Sequence, residues 1–486
     1  MHTPTMSAAG AAELIRADRQ LLLELADGLS EARLREPYRV TAGPLGHFCD
    51  SLHDLIAHIL MWDEITLAVL REAAAGRAHW SLDPGWETAD AGSALNLGGV
   101  AAGRHVSSAL LLHRFRAGVD ALIDEISRYD EDAWLDPATG GGFDGSIGAL
   151  AEYAASPPDW TPYAHVGRHL GKPAREIVAR PGFRAETDEL LARFAAQAPG
   201  EELDPYAALL RDRQELPDPE LAGVVDLSTR PEDLELRLPG RTLQARVYRP
   251  RTGEPRPVVL WLHGGGFVGG DLRDIEYATS GIATAGQVVV VSLNYRLAPE
   301  DPFPAALHDA LDALDWIREH REELGGDGRV VIGGQSAGAA LAAGACLVAR
   351  DEHRPLPDRQ VLCYPSLDDG QDTESYRLFD GVFHSIAPGG WADAQYFPAG
   401  DMPAAAVPLR AKDLSGLPRA LILAAGRDPL RDDARTYADR LAADGVPVRL
   451  VEYAETMHAF LNFPGVLSAG RHAVELIGAD LRSVPA

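Results

Sequence analysis

Ser336 sits in Gly334-Gln335-Ser336-Ala337-Gly338, a setting of small residues that suits one kind of chemistry, attack by a hydroxyl on a carbonyl carbon. The apolar run Val330-Val331-Ile332-Gly333 precedes it and a small-residue run from Ala339 follows, which predicts a strand, a sharp turn and a helix with the hydroxyl raised at the tip. Glycine is needed beside such a turn because strained backbone and close neighbours leave no room for a Cβ. A second apolar run, Pro257-Val258-Val259-Leu260-Trp261-Leu262, ends in His263-Gly264-Gly265-Gly266-Phe267. Backbone N–H groups at that point can converge on a developing oxyanion. The expected donors are the amides of Gly265, Gly266 and Ala337, the last at a helix N-terminus whose dipole adds to the field.

A serine hydroxyl is a poor nucleophile near neutral pH, so it needs a positioned base, and the base needs an acid to fix its tautomer. For a nucleophile on a strand–turn–helix the order along the chain is Ser, acid, His. The strand-like Arg419-Ala420-Leu421-Ile422-Leu423-Ala424-Ala425 runs into Gly426-Arg427-Asp428-Pro429-Leu430, which makes Asp428 the expected acid. Asp428-Pro429 also reads as a helix N-cap followed by a first-turn proline. Asp432 and Asp433 read as first-turn residues favoured by the helix dipole. The base is expected after the last strand, Val448-Arg449-Leu450-Val451-Glu452-Tyr453, and His458 arrives there in Met457-His458-Ala459-Phe460. His308 and His384 fall at the wrong points of this order, and His263 is expected to brace the glycine loop.

The elements around these residues follow two grammars. From Ala11 to about Ala179 apolar residues recur at three to four positions, in Ala12–Leu29, Leu52–Leu67, Leu110–Leu122 and Ile147–Tyr153, the last continuing past Pro157-Pro158 into Tyr163–Leu170. Four amphipathic helices predict a bundle, with a long loop over Gly76–Gly103. After a further helical stretch, 183–214, and a break at Pro217-Asp218-Pro219, strands are expected at 233–238, 244–249, 257–262, 287–293, 329–333, 359–364, 419–424 and 447–453. Helices are expected at 275–285, 304–320, 337–350, 429–445 and 468–482. This alternation predicts a mostly parallel eight-stranded sheet covered on both faces, with its site at the carboxyl ends of the strands. The expected division is 1–180 for the helical bundle, 181–230 for cap helices and linker, and 231–486 for the α/β domain.

Bulk properties narrow the function classes. The 486 residues exceed one ordinary domain, and 46% hydrophobic with 24% charged residues is a globular balance. A formal charge of −27 repels nucleic-acid phosphate and anionic lipid, so neither is an expected partner. Cys49, Cys346 and Cys363 are odd in number and lack metal-type spacing, which suits reduced thiols. With no apolar run long enough to span a bilayer and no basic-flanked signal segment, a cytoplasmic location is expected.

Residues from about 185 to 486 resemble the α/β-hydrolase fold-3 group, the bacterial hormone-sensitive-lipase-like carboxylesterases. The resemblance rests on His263-Gly-Gly-Gly, Asn294-Tyr295-Arg296-Leu297-Ala298-Pro299-Glu300, Phe303-Pro304-Ala305, the Ser336 segment, Asp428-Pro429-Leu430-Arg431-Asp432 and His458. It implies an acyl-enzyme mechanism on a small-molecule ester, no required cofactor, pairing into a homodimer, and a helical cap for which 186–214 are the natural residues. Two positions depart from the pattern: Gln335 stands where Asp is usual, and Ala459 where Gly is usual.

The first 180 residues resemble the DinB-like four-helix superfamily, within it the ClbS/DfsB type, through Ser51-Leu52-His53-Asp54-Leu55-Ile56-Ala57-His58-Ile59-Leu60-Met61-Trp62-Asp63-Glu64, Ala94-Leu95-Asn96 and the Phe115–Leu122 helix. Some superfamily members hold a divalent metal through one histidine of the second helix and two near the last, which implies His58, His165 and His169 here. The i, i+4 spacing of the last two puts both on one helical face. The ClbS-type resemblance implies binding or inactivation of a genotoxic natural product, although Thr161-Pro162-Tyr163 replaces the Ser-His-Tyr segment common in that type. The functional expectation is therefore a serine carboxylic-ester hydrolase with Ser336, His458 and Asp428. Two alternatives concern the bundle: self-resistance or tailoring directed at a natural product, or a purely structural dimerisation module.

Overall fold

The computed structural model describes residues 4, 6–36, 49–83, 89–138, 143–155, 162–169, 175–180, 182–196, 204–229, 231–251, 254–368, 372–383, 390–398, 400 and 402–482. Pro157-Pro158, Thr161 and His384 lie outside these residues. The fold divides into two compact units, Met1–Pro181 and Gly182–Ala486. No described helix is long and apolar enough to cross a membrane.

The first unit is helical. Its long helices are Ala8–Ala26, Leu52–Ala74, Ala89–Arg104 and Ser108–Ile126, followed by the shorter Ile147–Ala155 and His165–His169. Side-chain oxygens of Ser7, Ser51 and Ser107 accept first-turn amides and so start three of these helices where the apolar periodicity begins. The expected long loop at Gly76–Gly103 needs correction, because most of its second half is the helix Ala89–Arg104. Its glycines argue against a helix by propensity, yet two of the four serve close packing: a Cβ on Gly99 would lie 2.3 Å from Met61 Sδ, and one on Gly103 2.3 Å from Ala57 Cβ, whereas Gly92 and Gly98 face open space. Tertiary contact outweighs local preference there. The unit is also not purely helical, since Arg175–Val178 forms a short strand, β1, where a helical pattern was expected to run on.

The second unit is built on eight strands: β2 Glu232–Leu238, β3 Arg241–Tyr248, β4 Arg256–Leu262, β5 Val289–Leu293, β6 Gly326–Gln335, β7 Arg359–Cys363, β8 Ala420–Arg427 and β9 Val448–Met457. They run in the order β9-β8-β7-β6-β4-β5-β3-β2, with β2–β3 and β3–β5 antiparallel and the rest parallel. β5 and β7 are buried throughout, as strands covered on both faces are, polar Ser292, Arg359 and Gln360 included. The helices Glu276–Gly286, Ala305–Glu319, Ala337–Asp351, Arg431–Ala443 and Ser468–Arg482 fall where the helical periodicity put them. Helices Phe183–Ala195 and Pro205–Asp212 occupy the segment expected to form a cap.

Register sets where the chemistry emerges. Leu262 at the end of β4 pairs with Gly334 of β6, so the glycine loop and the Ser336 turn leave the sheet side by side. Arg427 of β8 pairs with Met457 of β9, and the next residues are Asp428 and His458. All four loops leave at the carboxyl end of the parallel strands.

Candidate active site

Between β6 and helix Ala337–Asp351, Ser336 holds φ at 54°, a left-handed value that costs a non-glycine residue about 1–3 kcal/mol. The turn is tight because its neighbours are backbone. A Cβ on Gly334 would lie 2.5 Å from the Gly338 carbonyl, and one on Gly338 2.2 Å from Leu262 O. Ser336 N–H donates to Cys363 O at 2.9 Å, which ties the turn to the end of β7.

His458 presents Nε2 to Ser336 Oγ at 2.9 Å and Nδ1 to Asp428 Oδ2 at 2.7 Å. The carboxylate only accepts, so Nδ1 carries the proton and Nε2 is free to accept the hydroxyl hydrogen. Asp428 is fully buried, and its other oxygen accepts the Leu430 amide at 2.9 Å. The expected Asp428-Pro429 cap needs correction, because the helix begins at Arg431 with Leu430 at its N-cap and no side-chain cap, so Asp428 gives one oxygen to a local turn and the other to His458. Asp432 and Asp433 do more than favour a helix dipole. Asp432 accepts the Ser375 amide at 2.9 Å, and Asp433 accepts those of Leu367 and Asp368 at 3.3 and 3.1 Å, tying the acid-bearing loop to the segment after β7. Burial, with Asp368 and Asp428 close by, holds the Asp433 carboxyl well above the ordinary carboxylate range.

The glycine loop is held from several sides. Gly265 and Gly266 take φ of 120° and 60°, and a Cβ on Gly265 would meet Gly269 O at 2.1 Å. His263 Nδ1 donates to Gly264 O at 2.7 Å while its ring stacks on Tyr295 with centroids 4.2 Å apart. Tyr295 OH donates to His263 O at 2.8 Å, and Ala298 N–H donates to Phe267 O at 3.0 Å. Arg296 grips buried Asp309 at 2.8 Å, and Arg213 donates to Val268 O at 2.8 Å and Ala298 O at 2.7 Å. The Arg296–Ala305 stretch is therefore scaffold beneath the loop. Ala337 begins its helix, where an amide has no carbonyl one turn earlier to meet. His308, on helix Ala305–Glu319, takes no part in the Ser336–His458–Asp428 chain of contacts.

The profile of the alpha/beta hydrolase fold matches residues 259–462. The chain is similar to the esterase LipI of Mycobacterium tuberculosis, 38% identical over 275 residues that make up 51% of this chain and 82% of that protein. The chain belongs to the alpha/beta hydrolase fold family. An arylesterase of Saccharolobus solfataricus is 33% identical over 258 residues, 52% of this chain and 83% of its own length. The solved structure of a hyperthermophilic esterase from the archaeon Pyrobaculum calidifontis is 36% identical with a TM-score of 0.55, covering 63% of this chain and 98% of that one. This alpha/beta hydrolase is an enzyme of the hydrolase class, and the reaction such a site performs requires no cofactor.

The first unit of the hydrolase holds a second cluster. His58, from helix Leu52–Ala74, meets His165 and His169, and their ligand atoms all lie within 4.8 Å of one another in a buried position. His58 Nε2 and His165 Nε2 are 3.1 Å apart. Two nitrogens on one tetrahedral zinc at about 2.0–2.1 Å would stand about 3.4 Å apart, so the spacing fits a shared ion. Burial pushes His58 down to about 3 and His165 well below its ordinary value, which keeps the imidazoles neutral, the form that ligates metal.

Sequence reasoning missed the frame around this cluster. Asp18 accepts the amides of Val166 and Gly167 at 2.8 Å each, and Arg19 donates to Asp18 at 2.5 Å, to Tyr163 O at 2.6 Å and to both oxygens of Asp63 at 2.6 and 3.1 Å. All three charged residues are buried. The available signal was charge at positions of helices Ala8–Ala26 and Leu52–Ala74 that the apolar periodicity assigns to the interior.

Proposed function

We propose that the alpha/beta unit hydrolyses carboxylic esters of small molecules through an acyl-enzyme on Ser336. The reading is carried by one observation, the unbroken Oγ···Nε2 and Nδ1···Oδ2 chain of 2.9 and 2.7 Å from Ser336 through His458 to Asp428. The relatives compared above are themselves esterases. In the first half-reaction Oγ attacks the carbonyl carbon as its proton passes to His458 Nε2, and Asp428 stabilises the imidazolium through Nδ1–H. The carbonyl oxygen becomes an oxyanion facing the amides of Gly265, Gly266 and Ala337, each such donor being worth about 100-fold or more in rate. Collapse breaks the ester C–O bond as Nε2 returns the proton to the leaving alcohol. Water then repeats the sequence and frees the acid. The helices Phe183–Ala195 and Pro205–Asp212 act as the cap over this site.

Two variants test the reading on short p-nitrophenyl esters. Ser336→Ala is expected to abolish both turnover and labelling by a fluorophosphonate. Asp428→Asn keeps an oxygen for the Leu430 amide but turns its NH2 towards His458, forcing the wrong tautomer, so kcat is expected to fall about 10⁴-fold. Turnover at the wild-type rate in Ser336→Ala would overturn the reading.

A second reading concerns the helical unit, which we infer to be a four-helix-type bundle that holds a divalent metal through His58, His165 and His169. What supports it is the buried convergence of three ligand atoms within 4.8 Å. Bound there, the ion would supply a Lewis-acid centre in a closed interior. Metal content after dialysis against zinc, in wild type and His165→Ala, tests it. Equal content in the two would overturn it.

A further inference from the structure

His458 leaves the sheet from β9, whereas Ser336 leaves from β6, with β7 and β8 between them in the strand order. Three strand spacings amount to about 14 Å, yet the two reactive atoms stand 2.9 Å apart. The turn that carries the histidine must therefore reach back across two strands, and ladder hydrogen bonds cannot fix its end. Asp428 supplies one tie through Nδ1. A second tie runs from the residue next to the nucleophile. Gln335 is 1% exposed and its Nε2 donates to Asn462 Oδ1 at 2.5 Å. Asn462 closes the turn after His458, its N–H donating to Ala459 O at 2.9 Å, and Ala459 holds φ at 61° to let the chain double back. The Gln335 side chain also lies against the oxyanion loop, with Cγ 3.6 Å from where a Cβ of Gly264 would be.

We propose that Gln335 and Asn462 are a pair of positioning residues, a charge-free brace that holds the histidine turn over the nucleophile and so sets the Oγ–Nε2 distance. The proposal rests on the reading that Ser336 and His458 exchange a proton. The second atom of the Gln335 amide argues that the brace serves geometry more than fold. Its Oε1 is buried with no hydrogen-bond partner among the described residues, a destabilising arrangement. An apolar side chain of the same length would avoid that penalty. A glutamine kept at this position is therefore explained by the bond its other end makes to Asn462.

The test uses the full-length protein, with steady-state kinetics on a short p-nitrophenyl ester and the rate of fluorophosphonate labelling. Gln335→Met removes the brace while conserving volume, and is expected to leave the melting temperature equal or raised, KM within about twofold, and kcat about 10- to 100-fold lower. Asn462→Ala is expected to show the same loss, and the double variant no more than either single, because each removes one bond. Gln335→Glu can accept from a flipped Asn462 amide, so it should recover most of kcat. Wild-type kcat in Gln335→Met, additive losses in the double variant, or no recovery in Gln335→Glu would overturn the proposal. If Gln335→Met does not fold, the Asn462→Ala comparison decides alone. Failure of the wild type itself to label would instead sink the nucleophile assignment.

Discussion

At His263 a single buried ring orients a peptide plane. Its Nδ1–H holds the Gly264 carbonyl at 2.7 Å, and in a trans peptide the following N–H, that of Gly265, must point the opposite way. The tie from one residue to the next thus aims an expected oxyanion donor. Burial pushes the His263 imidazole down to about 4, whereas in the unfolded chain it titrates near its ordinary value of 6.5. The folded state then refuses a proton that the unfolded state accepts. Stability from this group is complete above about pH 6.5 and falls by about 1.4 kcal/mol per pH unit as the pH drops towards 4, below which the loss levels off. His263→Asn keeps an N–H donor for Gly264 and does not titrate. Urea midpoints of the second unit between pH 7 and 4.5 should therefore fall more steeply for wild type than for the variant, and parallel slopes would refute the linkage. Local ties of this kind are legible in sequence because the partners are adjacent. The Gln335–Asn462 bond was not legible, since 127 positions separate residues whose types suggest nothing together.

Element-scale reading succeeded where one period dominated. The run 257–262 is apolar throughout and 359–364 is apolar from Val361 on, as suits central parallel strands, and they became Arg256–Leu262 and Arg359–Cys363. It failed at Ala89–Arg104, where glycines mark contact with Ala57 and Met61, and at β1, whose four residues are too few for periodicity to decide. The placement of His165 and His169 depended on a helix of only five residues, too short to stand by propensity. Its N-terminal amides are instead taken by Asp18, and Arg19 joins that carboxylate to Asp63, five residues beyond His58 on the helix that bears it. Buried ion groups contribute little net stability when whole, but breaking one strands a charge at about 3–5 kcal/mol. Arg19→Met should therefore lower the thermal transition of the helical unit markedly, because it leaves Asp18 and Asp63 buried without their cation, and adding Asp18→Asn and Asp63→Leu should recover much of the loss. Calorimetry showing the triple variant as damaged as the single would mean that the frame is more than an ion group.

For the whole molecule, the two proposed chemistries fall in different units. Every group of the proposed ester hydrolysis lies within Gly182–Ala486, and the three histidines lie within Met1–Pro181. The proposed proton transfer in the second unit uses side chains and amides alone, with no step that calls for an ion. A metal held by His58, His165 and His169, as proposed, would bind the folded helical unit and not the unfolded chain, whose ligands are dispersed. It would therefore stabilise the unit that holds it by about 2.7 kcal/mol at a free concentration 100 times Kd. For a unit of this size that corresponds to about 5–11 °C. Scanning calorimetry of the full-length protein should then show one transition that rises on adding zinc and returns with chelator, beside one that does not move. Ester turnover should stay within about twofold across the same additions, since no group that contributes to the barrier is touched. Loss of turnover in chelator would place a metal in the hydrolytic chemistry, and a zinc-independent thermogram would remove it from the bundle.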